Sequence, residues 1–205
     1  MEVIVMIHRR ILSFAFSLST LSVFALAPGS SAPDFKGTDS NGVNHTLSQY
    51  RGKYVVLEWA NKGCPYDQKH YLSGNMESLQ REWTAKGVVW LSVISSAPGE
   101  QGHVTAAEEN QYLKMMKAVP TAALLDPDGT IGHLYQAKTT PHIFVIDPQG
   151  KLIYQGAIDD KPTTDQADIK TARNYLNDAL TAAMAGKPVP VASTRPYGCS
   201  VKYKD

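Results

Sequence analysis

The chain has two cysteines, Cys64 and Cys199, and the neighbours of Cys64 indicate which chemistry it can support. Cys64 stands between Gly63 and Pro65, and Pro65 suits the first position of a helix, so a helix is predicted to begin at Cys64. Unpaired backbone N–H groups and the positive end of the helix dipole stabilise a thiolate there. We therefore expect the pKa of Cys64 to lie below the value of about 8.5 for a free cysteine. The pattern favours a nucleophilic thiol over a core cysteine.

The segments on either side of Cys64 predict the elements that hold it. Residues 53–60 and 88–96 are β-branched and aromatic runs, which predict two buried strands. Between them we expect one helix over residues 64–87, with a potential kink at residues 73–75. Its apolar face is predicted to consist of Leu72, Met76, Leu79 and Trp83. A strand, a helix and a strand in this order predict a parallel crossover unit.

The rest of the chain predicts an α/β domain followed by a tail. The elements are, in order, a helix over residues 105–117, a strand over 122–125, a short helix over 130–137, an antiparallel hairpin over 142–159 and a long helix over 165–185. Residues 28–187 form the predicted domain. Residues 188–205, which we call the tail, carry Cys199 and three prolines that keep the backbone extended.

The N-terminal segment predicts export. In residues 1–27 a short basic stretch precedes an uncharged apolar run that ends in small residues, as in a secretory signal peptide. The run is short and rich in serine for a membrane span, so we expect membrane contact only through an uncleaved leader. A periplasmic or otherwise exported location follows, and disulfides persist in such compartments. The formal net charge of +1 gives no basic surplus for nucleic acid.

Several segments resemble a known family. The segments APDFKGTDSNG, KGCPY, TTPHIFVIDPQGKLIYQGAIDD and AGKPVPVASTRPYGCSVKY are similar to those of exported peroxiredoxin-like redoxins of the alkyl hydroperoxide reductase and thiol-specific antioxidant superfamily. The resemblance implies an α/β, thioredoxin-like fold with a central mixed β-sheet flanked by helices and an extended C-terminal tail. It also implies that Pro141 follows a cis peptide bond and faces Cys64.

The chemistry of that family implies a role for each cysteine. Cys64 is implied to be the peroxidatic cysteine, which attacks hydrogen peroxide or a small hydroperoxide and becomes a sulfenic acid. Cys199 is the internal candidate for the resolving thiol, and an exported thioredoxin-like donor is expected to reduce the resulting disulfide. No cofactor is implied. The alternative for Cys199 is a permanent disulfide that fixes the tail to the domain.

The chain departs from the peroxiredoxin pattern at the positions that assist Cys64. The family's proline and threonine before the reactive cysteine are replaced by Leu57 and Asn61, and Pro141 or His142 takes the place of its arginine. Asn61 can still offer an amide donor to a peroxide oxygen. Stabilising charge on the leaving oxygen matters for fast peroxide reduction, so these departures bear on the peroxidase assignment.

Two other functions are open at this point. A thioredoxin-type protein disulfide reductase carries a second cysteine three residues after the first, where this chain has Asp67, so Cys199 would have to be the exchange partner. A copper-binding protein of the same fold is the second alternative. Its potential ligands are Cys64, His70, His103, His142, Met115 and Met116.

Overall fold

The computed structural model describes residues 26–204, and nearly all of the predicted leader lies outside the described residues. Within residues 26–204 no helix combines the length and the apolar character that a membrane crossing requires. The predicted leader therefore stays a prediction.

A seven-stranded mixed sheet forms the centre of the fold. Its strand order is β2-β1-β5-β4-β3-β7-β8, with β3, β4 and β5 parallel and the other neighbours antiparallel. The strands are β1 (Lys36–Asp39), β2 (Asn44–Thr46), β3 (Val55–Trp59), β4 (Val89–Ile94), β5 (Ala122–Leu125), β6 (Thr139–Thr140), β7 (His142–Ile146), β8 (Leu152–Gly156) and β9 (Cys199–Ser200). β6 and β9 form a separate two-stranded antiparallel pair.

Helices cover both faces of the sheet. They are α1 (Pro65–Leu72), α2 (Asn75–Ala85), α3 (Ala106–Met116), α4 (Thr130–Tyr135) and α5 (Tyr175–Met184), with 3-10 turns at Ser48–Tyr50 and Gln166–Lys170. β3 separates two apolar clusters, because side chains alternate along a strand. Trp59 packs in the cluster with α4, whereas Val56 packs in the cluster with α2 and α5.

Two predicted helices are each divided. The helix expected over residues 64–87 is interrupted at Gly74, which adopts a left-handed φ of 76° and precedes α2. Met76, Leu79 and Trp83 are buried as predicted, but Leu72 is 58% exposed, because it ends α1 on the solvent side of this break. The helix expected over residues 165–185 is a 3-10 turn followed by α5, since Asn174 caps α5 through the N–H of Asn177.

The tail is extended and lies along the domain. Gln155 of β8 exchanges backbone hydrogen bonds with Ala192 and Thr194, at 3.1 and 3.0 Å. Further on, the N–H of Val201 donates to the carbonyl of Lys138 at 3.1 Å. Each contact fixes tail backbone to the loop or strand next to it, so the predicted extended conformation is held by pairing as well as by prolines.

Candidate active site

Cys64 lies at the point where β3 leads into α1. It is the N-cap of α1, with φ −85° and ψ 123°, and its backbone N–H donates to the carbonyl of Asn61 at 2.9 Å. Its side chain is 0% exposed. The thiol donates to the carbonyl of Thr140 at 3.1 Å. The structure thus places the predicted nucleophile at a helix N-terminus, but beneath other residues and away from solvent.

The cover over Cys64 consists of β6 and β9. The Thr140–Pro141 peptide bond is cis, as the resemblance implies. In the β6–β9 pair Thr140 is the register partner of Cys199, so the residue that contacts the Cys64 thiol also pairs with the other cysteine. Both cysteines are free thiols. Cys64, Cys199 and Pro141, which the sequence places far apart, are brought together.

The two thiols differ in their acidity. Burial is the largest influence and raises the pKa of Cys64, but the polar groups of Cys199, Thr140 and Asp67 beside it together outweigh burial, so the pKa lies below its ordinary value. Burial and the hydrogen bond to Cys64 raise the pKa of Cys199 to about 11. Cys64 is therefore the more acidic of the two cysteines, and Cys199 is a neutral thiol at pH 7.

Asn61 lies beside Cys64 and holds the loop that precedes α1. It is 1% exposed. Its Oδ1 accepts from the N–H of Gly63 at 2.8 Å, and its Nδ2 donates to the carbonyl of Gln101 at 3.2 Å. Gly102 is confined by this side chain, since a Cβ there would lie 2.2 Å from the Asn61 amide oxygen. The role of Asn61 as a donor to peroxide stays a prediction, because its amide is engaged within the loop.

Asp67 is a site residue whose importance the sequence alone does not indicate. It is 1% exposed, and its Oδ2 accepts from the N–H of Asn61. Burial, followed by the charge of Glu58, raises the pKa of Asp67 well above its ordinary value. An acidic residue in a first helical turn is commonly a solvated dipole partner. Here the carboxyl turns inward under the loop instead.

Around the tail a network of polar side chains holds Tyr197, two residues before Cys199. The Tyr197 hydroxyl donates to the Asp159 carboxylate, which also accepts from Lys69 Nζ at 3.4 Å. The ring of Tyr197 packs on Tyr66, with centroids 5.9 Å apart. His70 Nε2 lies 3.3 Å from the same hydroxyl. Burial is the main cause that lowers the pKa of His70, to about 4, so this histidine is neutral at pH 7.

The residues considered for copper do not converge. The ring nitrogens of His70 bond to Asn75 and Tyr197, and the ring of His142 packs on Phe144. Among residues 26–204 no group of three or more histidine, cysteine, aspartate or glutamate side chains has the arrangement of a metal site. The part of the chain that the structure describes therefore holds no cluster of three histidine, cysteine or carboxylate ligands for the copper-binding alternative.

A cavity of about 600 Å³ adjoins the β6–β9 pair. Tyr66, Thr139 and Gly198 line the side next to the cysteines, and Asp159, Asp160 and Arg195 contribute charge. The cavity is open to solvent beside the covered Cys64, so small molecules can reach the edge of the site without any change in the domain core.

The family of the chain follows from comparison with known proteins. A family model described as the AhpC/TSA family matches residues 28–155, which is more than half of the chain. The chain belongs to the AhpC/TSA family. The match includes β1 to β7, Cys64, Pro141 and most of β8, and it stops before the tail that carries Cys199.

Relatives of this AhpC/TSA protein support the predicted fold. The thiol-disulfide oxidoreductase ResA of Bacillus subtilis is 26% identical over 129 residues, which are 63% of this chain and 66% of ResA, just under two thirds of its length. An uncharacterized conserved protein from Geobacillus kaustophilus superposes with a TM-score of 0.72 over 88% of this chain and 94% of that chain, at 22% identity. The thioredoxin domain of a thiol-disulfide oxidoreductase from Bacteroides vulgatus gives a TM-score of 0.50 over 64% and 89% of the two chains, at 24% identity. The thioredoxin-like fold is confirmed.

Proposed function

We propose that this protein is a thiol-dependent oxidoreductase whose redox couple is Cys64 and Cys199. The observation that carries the proposal is the register of β6 and β9, which sets Cys199 opposite Thr140, while the Thr140 carbonyl contacts the Cys64 thiol. Two free thiols of unequal acidity at one place can form and break a disulfide with little movement of the domain.

The first candidate for the oxidant is hydrogen peroxide or a small organic hydroperoxide. The Cys64 thiolate attacks one peroxide oxygen, the O–O bond breaks, and the other oxygen leaves as water or alcohol after it takes up a proton. Cys64 is then a sulfenic acid. The Cys199 sulfur attacks it, a disulfide forms and water leaves with the Cys199 proton. A dithiol donor, which we propose to be an exported thioredoxin-like protein, returns two electrons and two protons.

A second candidate is exchange with the disulfides of other proteins, and the similarity to ResA favours it. In that reaction the Cys64 thiolate attacks a substrate disulfide, and Cys199 then attacks the mixed disulfide and releases the reduced substrate. The cover on Cys64 discriminates between the candidates. A peroxide needs a smaller opening of the β6–β9 pair than a protein disulfide does, since Cys64 is 0% exposed.

Mass spectrometry after oxidation tests the proposal. The reduced protein is treated with one equivalent of hydrogen peroxide or of oxidised glutathione, unreacted thiols are alkylated, and the peptides containing Cys64 and Cys199 are mapped. We expect a Cys64–Cys199 disulfide, and in the Cys199→Ser variant a sulfenic acid at Cys64 after peroxide. If hydrogen peroxide oxidises Cys64 faster than oxidised glutathione does, the result supports a peroxidase. If oxidised glutathione reacts faster, the result supports disulfide exchange. A Cys64 that stays reduced under both oxidants would refute the redox function.

The same variant separates a resolving cysteine from a structural one. If Cys199 resolves, Cys199→Ser loses turnover with a thiol donor and keeps the melting temperature of the reduced protein. If the disulfide only fixes the tail, the oxidised wild-type protein is several kcal/mol more stable than the variant, as roughly expected for a cross-link, and neither turns over.

A further inference from the structure

A cavity of about 280 Å³ lies between the tail and the domain, next to the end of α4. Its lining combines domain residues, among them Tyr135, Lys138 and His142, with tail residues 193–196. Cavities that hold small molecules commonly measure about 300–1,000 Å³, so this one is near the lower end of that range. Its size therefore suits a small organic molecule.

The charge of this cavity is positive. Among the described residues that line it, Lys138 and Arg195 are cations, and none is an aspartate or a glutamate. Neither cation forms an ion pair within residues 26–204. Arg195 also lines the larger cavity that contains Asp159 and Asp160, yet it is not paired with either of them. Two cations that share one concave surface without a counter-ion attract an anion.

His142 supplies a hydrogen-bond donor to the same cavity. Its side chain lines the cavity although the residue is only 5% exposed, and its Nδ1 accepts from the backbone N–H of Lys138 at 3.3 Å. Burial, then the charge of Lys138, lowers the pKa of His142 to about 3, so the ring is neutral at pH 7. A neutral ring that accepts at Nδ1 carries its proton on Nε2. This Nε2–H has no hydrogen-bond partner within residues 26–204, so an acceptor in the cavity can take it.

The rest of the lining favours an organic acid over an inorganic anion. Leu26, Tyr135 and Pro196 add apolar surface to the cavity. A phosphate ion would contact the cations and leave this apolar surface in water. A carboxylate with an apolar body uses both parts, because the planar guanidinium of an arginine matches two carboxylate oxygens and the body removes apolar surface from water.

We propose that this cavity binds a small organic acid whose carboxylate is held by Arg195, Lys138 and the Nε2–H of His142. The ligand joins the tail to the domain, because Arg195 belongs to the tail and Lys138 and His142 lie on either side of β6 and Pro141 in the sequence. Arg195 shortly precedes β9, so a bound ligand holds β9 in its pairing with β6. The proposal does not depend on the redox function, since binding makes and breaks no covalent bond.

Titration of the purified protein with benzoate at pH 7 tests the site, with calorimetry for affinity and NMR of the histidine rings for location. We expect saturable binding of one benzoate and a change in the ring resonances of His142. Benzamide has nearly the same shape without the charge, and we expect it to bind at least about tenfold more weakly. Equal affinity for benzamide, tighter binding of inorganic phosphate, or no saturable binding of benzoate would each overturn the proposal.

Arg195→Gln and Lys138→Gln each remove one cation from the cavity, and thermal melting shows whether each variant is folded. We expect each to weaken benzoate binding by about tenfold or more, since hydrogen bonds between charged groups are the strong ones. Lys204→Gln is the matched control, because Lys204 is an exposed cation of the same tail that is absent from the lining. It should bind benzoate like the wild type. An unchanged affinity in the first two variants, or an equal loss in the control, would contradict the site.

Alkylation of Cys64 tests whether the ligand joins the tail to the domain. The background is Cys199→Ser, so that iodoacetamide modifies only Cys64. A ligand that binds only the closed form lowers the open population about tenfold at ten times its Kd, so benzoate at that concentration should slow alkylation about tenfold. Benzamide at the same concentration, and benzoate added to Arg195→Gln in the same background, should not slow it. Bound benzoate that leaves the rate unchanged would overturn the link between tail and domain.

Discussion

Thr140 and Cys199 face each other as register partners in the pairing of β6 with β9, directly above the Cys64 sulfur. This pairing is only two residues long on each strand, so few hydrogen bonds hold the cover in place. A local opening of such a short pair requires much less free energy than unfolding of the domain. Access to Cys64 is therefore expected to depend on how often β9 leaves β6.

Gly198→Ala is expected to expose Cys64. Gly198 has φ 137°, and a Cβ there would lie 2.1 Å from the carbonyl oxygen of Thr140. Since this atom belongs to the backbone, the tail must move to accommodate the Cβ. If the closed conformation is destabilised by about 1.4 kcal/mol, the population of the open conformation already rises tenfold. Alkylation of Cys64 by iodoacetamide should be faster than in the wild type by about tenfold or more.

Gly186→Ala provides the control for that variant. Gly186 also has a positive φ, of 68°, but a Cβ there meets no atom within 4 Å. Gly186→Ala also places a side chain at a positive φ, but without a collision with Thr140, so the alkylation rate of Cys64 should stay at the wild-type value. Equal rates in the two variants would show that β9 does not control access.

Tyr197→Phe is expected to loosen the tail. The lost hydroxyl donates to the buried Asp159 carboxylate, and hydrogen bonds to charged groups contribute about 1.5–3 kcal/mol. Amide exchange at Val201, whose N–H donates to Lys138, should accelerate. Tyr203→Phe removes a hydroxyl that donates to a neutral backbone carbonyl, of Ala137, and should have the smaller effect. Unchanged exchange at Val201 in Tyr197→Phe would contradict this role.

Glu109→Gln is expected to stabilise the protein at alkaline pH. Burial, then the charge of Glu58, raises the pKa of Glu109 to about 7 from 4.5. The folded state binds more protons than the unfolded state between these values, so the stability that Glu109 contributes below pH 4.5 is lost as pH rises through 7. At pH 8 the free energy of unfolding of the variant should exceed that of the wild type by about 3 kcal/mol, measured by urea unfolding. If the difference in the free energy of unfolding between the variant and the wild type is the same at pH 4.5 and pH 8, the raised pKa of Glu109 is contradicted.

His142→Asn is expected to reduce the loss of stability in acid. Burial, then the charge of Lys138, lowers the pKa of His142 to about 3 from 6.5, so the folded state binds fewer protons than the unfolded state in this window. Its contribution is complete above pH 6.5 and falls as pH decreases toward 3. Between pH 7 and pH 4.5 the wild type should lose about 2 kcal/mol more than the variant. Asparagine can still accept the hydrogen bond from the N–H of Lys138, so the variant keeps this contact. Parallel curves of stability against pH for the wild type and the variant would contradict the role of His142.

Local patterns in the sequence predict the parts of this fold that local chemistry determines. The runs over residues 53–60 and 88–96 become β3 and β4, because β-branched and apolar residues there fill a sheet buried on both faces. Pro65 predicts the helix start, since proline suits the first helical position, whereas the cis bond before Pro141 is implied by the family resemblance.

Long-range contacts are what the sequence does not predict. Nothing near Asp67 indicates that its carboxyl turns under the loop of Asn61, since an acidic residue in a first turn is usually solvated. The pairing of Cys199 with Thr140 joins residues 59 positions apart, and no local periodicity encodes such a partner. Nor does any local pattern indicate that the pairing of β9 with β6 leaves Cys64 fully buried.

The tail also has a consequence for how the protein responds to dilution. Because Cys199 arrives at Cys64 on the same polypeptide, its effective molarity is set by the fold and by the length of the connecting segment. The local concentration of the Cys199 thiol near Cys64 therefore does not depend on the concentration of the protein. In the proposed Cys64–Cys199 couple, a single molecule therefore carries both of the sulfur atoms that the intramolecular step requires.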